Sequence, residues 1–163
     1  MVLGIERVVL TSDVVAGKFY VAPSFGNFSS ILQCVENPGA EREEDRLLAL
    51  TFTNNGEEDI FIGGFPSDVL VELHTVKVRV DPPSVSGSNF TSGLRPRMLV
   101  VSGSEAILAA PTDNRGFAWA AVNLSKGQVH SSRSIGDWAS FSRWSLVGFD
   151  GDEEIEIASF DTG

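Results

Sequence analysis

The segment at residues 69–80, VLVELHTVKVRV, constrains the fold more than any other. Apolar and polar residues alternate along it, which is the period-2 pattern of a strand that buries one face. The apolar positions are odd at Val69, Val71 and Leu73, then even at Val76, Val78 and Val80. A slip of one residue turns a strand's whole apolar set to the opposite face. The segment therefore carries a β-bulge near His74-Thr75, or one strand ends there and another begins. At about 3.3 Å per residue it is long enough to leave one sheet and enter a second. Asp81-Pro82-Pro83 closes it, because proline donates no ladder hydrogen bond.

Further strands are expected at residues 5–10, 18–22, 47–53, 60–62, 98–101, 106–110, 117–122, 128–130, 143–149 and 154–160. Asn54-Asn55-Gly56 and Asp150-Gly151 are hairpin signals, since tight turns need residues that tolerate positive φ. Short helices are expected at residues 28–34 and at 135–141, the second with Ser134 as N-cap and Asp137 in its first turn. Residues 81–97, rich in Ser, Gly, Pro and Asn, read as a long loop and a candidate functional surface. Many short strands, with no regular alternation with long helices, predict an all-β antiparallel sandwich, with a jelly roll as one variant and one or two short helices in loops. The 163 residues read as one domain, 1–163, without internal repeats.

Charge narrows the partners. The chain has 12 Lys and Arg against 22 Asp and Glu, net −10, which opposes nucleic-acid binding by the whole chain. Residues 1–76 hold 12 acids and 4 bases, residues 77–149 hold 4 acids and 8 bases, and residues 150–163 hold 6 acids and no base. Such asymmetry suits docking of a basic region of one copy on an acidic region of another, but ordinary surface solvation is the favoured reading. Arg95 and Arg97 flank Pro96, either as a fork for an anion or as charges that keep an edge strand from pairing. Asp150, Asp152, Glu153 and Glu154 crowd one turn, where calcium would find oxygens, but the spacing is not that of an EF-hand, and an acidic hairpin tip is the favoured reading.

Catalytic patterns are not apparent. His74 and His130 are the two histidines and form no HxH or HExxH spacing, and no G-x-S-x-G or phosphate-binding glycine loop occurs. Cys34, the single cysteine, excludes an internal disulfide and sits among Ile31, Leu32 and Val35 as a buried filler. No cofactor is expected. No segment is apolar for long enough to span a bilayer, and the first residues do not read as a secretion signal, so a cytoplasmic or virion setting is expected. Sequons at Asn27, Asn89 and Asn123 are then chance occurrences.

Two functions are carried forward. The first is a non-enzymatic, self-assembling structural or interaction protein, such as a small viral coat or a shell-decorating protein, forming homo-oligomers. Small residues in the strands and the uneven charge motivate it, although the chain has no basic arm to neutralise nucleic acid. The closing hairpin, RWSLVGF–DGD–EEIEIASF, is like that of many jelly-roll coats, which is an analogy of fold alone. The second is a carbohydrate-binding sandwich that uses Trp138 with Ser88, Asn89, Asp113 and Asn114. Trp119 and Trp144 lie in apolar strands and read as core, whereas Trp138 is the tryptophan expected at an exposed surface or interface. The candidate interaction residues are Arg95, Arg97, Trp138, Asp150, Asp152 and Glu153.

Overall fold

The computed structural model describes residues 5–23, 29–54, 56–88, 94–112, 118–130 and 137–162. Fifteen strands occur among them: β1 Ile5–Leu10, β2 Phe19–Pro23, β3 Ser29–Glu36, β4 Leu47–Asn54, β5 Glu57–Gly63, β6 Val69–Leu73, β7 Lys77–Val80, β8 Val85–Ser88, β9 Leu99–Ser102, β10 Glu105–Pro111, β11 Trp119–Asn123, β12 Gln128–Val129, β13 Ala139–Phe141, β14 Arg143–Asp150 and β15 Glu153–Asp161. The large sheet runs β1-β6-β2-β3-β12-β11-β10-β9-β13-β8, with β4 and then β5 added beside β3; the small sheet is β15-β14-β7. All pairs are antiparallel except β12 with β3, which meet at Gln128 and Glu36. The chain is an all-β sandwich of two unequal sheets. This strand order does not establish the jelly-roll variant.

The shift of parity at His74-Thr75 is the crossover between sheets. β6 pairs with β1 and β2 in the large sheet, and β7 pairs with β14 in the small one. The expected inward set holds for Leu73, Val76, Val78 and Val80, which pack on the main core, but not at the start of the run. There Leu70 and Glu72 are buried and Val69 is exposed. The reason is that this part of the large sheet is covered on its far face as well.

The main core lies between the sheets. Phe52 stacks on Phe19 at 5.8 Å within the large sheet and meets Trp144 and Phe160 of the small sheet at 6.3 Å each. Trp144 and Phe160 stack at 4.1 Å. A second cluster, with Tyr20, Leu32, Cys34 and Leu70, fills the far face beneath Val14 and Phe65. A third joins Val100, Ile107, Ala121 and Trp138.

Both expected helices are corrected. Residues 29–36 form β3, whose Ile31, Leu32, Gln33, Cys34 and Val35 are all buried because cores press on both faces of the sheet. Burial on both faces removes the apolar/polar alternation that marks a strand in sequence. The described part of 135–141 contains β13, and no α-helix occurs among the described residues, only three short 3-10 turns. The expected loop 81–97 is partly ordered: Pro82–Ser84 form one of those turns and Val85–Ser88 form β8, while residues 89–93 lie outside the described set.

Two glycines are demanded by geometry. Gly151 turns the β14–β15 hairpin with φ +61°. Gly127, at φ +66°, lies so close to Gly17 that a Cβ there would come within 2.3 Å of the Gly17 Cα. That contact lets the turn before β12 press against the turn before β2. Gln33 reinforces it, donating from Nε2 to the Gly17 carbonyl at 3.3 Å and to the Leu124 carbonyl at 2.9 Å.

Candidate interaction surfaces

The six sequence-predicted residues do not form one site. Arg95 and Arg97 are exposed in the turn before β9, where the Met98 amide donates to the Arg95 carbonyl at 3.1 Å. Arg97 has φ +68°, the one left-handed non-glycine among the described residues, and its amide is fixed to the Ala109 carbonyl at 2.6 Å. Asp150, Asp152 and Glu153 are exposed at the β14–β15 turn, in the other sheet. Among the described residues no ion pair joins the two groups, and no three His, Cys, Asp or Glu side chains are gathered to hold a metal ion. Trp138 is 8% exposed, which corrects the expectation of a surface tryptophan. Its ring is packed against Val100, Ile107 and Ala121, so it offers no stacking face to a sugar. Of its expected partners, Ser88 lies in β8, and Asn89, Asp113 and Asn114 lie outside the described residues.

Other candidates are held internally. Burial pushes the Cys34 thiol up to about 12, away from reactive thiolate chemistry. Asn123 is buried, donating to Glu105 at 2.8 Å and accepting from the Lys126 amide at 3.0 Å. That sequon is closed to modification in the folded chain, while Asn27 and Asn89 lie outside the described residues.

The structure instead exposes three features built by long-range pairing. The first is the β1 end of the large sheet. Among the described residues β1 pairs with β6 alone, so its other edge is open. Val9 turns into the far-face cluster, while Val8 and Leu10 point the other way and are 66% and 55% exposed. Across β6, Val8 is registered with Val71 and Leu10 with Val69, itself 40% exposed; Val71 is registered in turn with Val21 of β2. Val21 packs on the main core, so this apolar row continues the inner face of the large sheet past the end of the small one. Arg7 beside it is tied to the buried Glu72 at 3.5 Å, and Glu72 also accepts from the Tyr20 hydroxyl at 3.5 Å.

The second feature is a cleft of about 640 Å³ between β7 and the β9–β10 hairpin. Phe19, Leu73 and Leu124 line its depth, and Lys18, His74 and Lys77 are among the residues at its border. Among the described residues the small sheet stops at β7 while the large sheet extends further. The third is a shallower cleft of about 810 Å³, where Trp144 lies beside Arg79, Arg143 and Glu58. The Trp144 indole N–H is buried there without an acceptor among the described residues. Burial raises the Glu58 carboxyl above its ordinary range, with Arg97 opposing the shift and Asp161 adding to it. Arg79 and Arg143 are already held by Glu154 at 3.2 Å and Asp81 at 2.9 Å.

Sequence reasoning missed all three. The trace of the first is Val8-Val9-Leu10, three successive apolar residues in a strand that buries one of them. The two clefts draw their walls from distant segments and leave no local signal. No protein-family model matches this chain, and comparison with curated proteins and with solved structures finds no match.

Proposed function

We propose that this chain is a non-enzymatic, self-assembling structural protein, of the kind that builds or decorates a shell, and that copies meet through β1. The observation that carries this reading is the β1 edge, unpaired among the described residues and flanked by exposed Val8, Leu10 and Val69. A strand edge presents unpaired N–H and C=O groups, and soluble proteins usually protect such edges with charge, proline or a covering loop. Here Arg7 of β1 is tied back to Glu72, and Val8 and Leu10 beside it expose apolar side chains. A two-fold axis beside β1 pairs it antiparallel with its copy, satisfies both edges, and joins the two apolar rows. Burying a Val or Leu side chain fully contributes about 1.5–3 kcal/mol, so four such residues from β1 and its copy supply enough to offset a substantial part of the cost of association.

Charge gives the reading a distinctive signature. Each copy carries a net charge of −10, so copies repel and screening favours association. Docking of the basic middle segment on acidic segments would respond to salt in the opposite sense.

The test is Leu10→Lys, which places a charge on the edge without entering a core. Sedimentation equilibrium is expected to show wild-type association that strengthens with salt and a variant at least tenfold weaker. Hydrogen exchange on β1 is expected to slow as wild-type concentration rises. Equal association of variant and wild type, or β1 exchange independent of concentration, overturns the reading.

A further inference from the structure

We propose that the cleft beside β7 accepts an extended polypeptide segment as a fourth strand of the small sheet, one whose carboxylates alternate with apolar residues. The inference is independent of pairing through β1. It starts from the incomplete small sheet. β7 pairs with β14 on one side, and among the described residues no strand occupies the other. The half-buried Val76, Val78 and Val80 pack on the main core and border the cleft along the length of β7, and Val101 and Ala106 form the facing wall. Neighbouring strands lie about 4.8 Å apart and packed sheets about 10 Å apart, so a strand added to β7 sits over the cleft's apolar lining rather than in solvent.

The open edge selects an extended chain over a small ligand. Every second residue of an edge strand directs its N–H and C=O outward, and an incoming strand satisfies these groups while its alternate side chains fill the apolar space. Charge then selects the sequence. Lys77 and Arg79 alternate with Val78 and Val80 on β7, and Lys18 and Lys77 both line the cleft. Cross-strand pairs of opposite charge are favourable, so carboxylates belong opposite Lys77 and Arg79. Arg79 already holds Glu154, but both side chains are about half exposed, and such surface pairs exchange partners at little cost. Glu105, the acid on the facing wall, is itself engaged by Lys126 at 3.2 Å and by Asn123 at 2.8 Å.

The probe is a fluorescein-labelled peptide, Glu-Val-Glu-Val-Glu-Val-Ser with blocked ends, titrated against the intact protein by anisotropy. Saturable binding is expected below 1 mM, weakening as salt rises. A peptide with Lys in place of Glu is expected to bind at least tenfold more weakly. Ala106→Phe, which fills the cleft from its facing wall, and the exposed double change Lys18→Glu, Lys77→Glu are each expected to weaken binding tenfold or more, with thermal melts confirming folding. Amide exchange at Val76, Lys77 and Val78 is expected to slow on binding. The proposal is overturned by absence of saturation up to 1 mM, or by binding that ignores both variants. It is also overturned if dodecanoate occupies the cleft while the peptide does not bind, which assigns the cleft to a small anionic amphiphile.

Discussion

Phe52→Ala probes the contact that makes two sheets one core. Phe52 is fully buried, and its ring meets Phe19 on its own sheet and Trp144 and Phe160 on the other. Truncating a buried phenylalanine costs about 3–5 kcal/mol through lost transfer energy and an unfilled cavity. Domains of this size have about 5–15 kcal/mol of stability in total, so a large share is lost. Each kcal/mol lowers Tm by about 2–4 °C at this length, which gives a fall of about 6–20 °C. Urea unfolding of Phe52→Ala, Phe160→Ala and the double variant isolates the contact between sheets. The coupling expected for an aromatic pair is about 0.5–1.5 kcal/mol. Val85→Ala, at an exposed position on β8, serves as the control and is expected to stay within about 0.5 kcal/mol of wild type. A Phe52→Ala loss below about 1 kcal/mol, or no coupling to Phe160, refutes packing of β4 against β15 through these rings.

Three further outcomes follow from local geometry. With its thiol raised to about 12 by burial, Cys34 is expected to resist iodoacetamide at pH 8 in the native state and react in urea; equal rates contradict its burial. The same group makes stability depend on alkaline pH. The unfolded thiol ionises near 9 and the folded one near 12, so its contribution is full below about pH 9 and falls by up to about 1.4 kcal/mol per pH unit between those values. Denaturant titrations of wild type and Cys34→Ala are expected to diverge in slope over that window, and parallel curves contradict the assignment. Gly127→Ala places a Cβ against the Gly17 backbone at positive φ, and a loss of at least about 1–3 kcal/mol in urea unfolding is expected; a neutral result contradicts the close approach.

The parts of the fold legible in sequence are those written in local alternation and turn chemistry. The parity shift at His74-Thr75 marked the crossover between sheets, and Asp150-Gly151 marked the last hairpin. What escaped is what depends on a second covered face. Residues 31–35 are buried throughout, so β3 shows no period. Trp138 lies in a segment expected as a short helix, yet β13, which follows it, sits between β9 and β8, and Trp138 joins the third cluster. Likewise Val69 opens the alternating set with Val71 and Leu73, but among the described residues the small sheet ends before reaching it, and no local feature encodes how far a facing sheet extends. Arg95, Arg97 and the acidic turn are exposed, while the β1 row and the β7 cleft arise only when strands distant in sequence are assembled.

The most direct test of self-assembly through β1 is mass in solution, measured by light scattering after size exclusion at graded concentration in low and high salt. Pairing through β1 gives a mass that rises above the 17.5 kDa of one chain with concentration, rises further in high salt, and returns to one chain in Leu10→Lys. A single-chain mass under every condition, or an assembly that dissolves as salt rises, contradicts it.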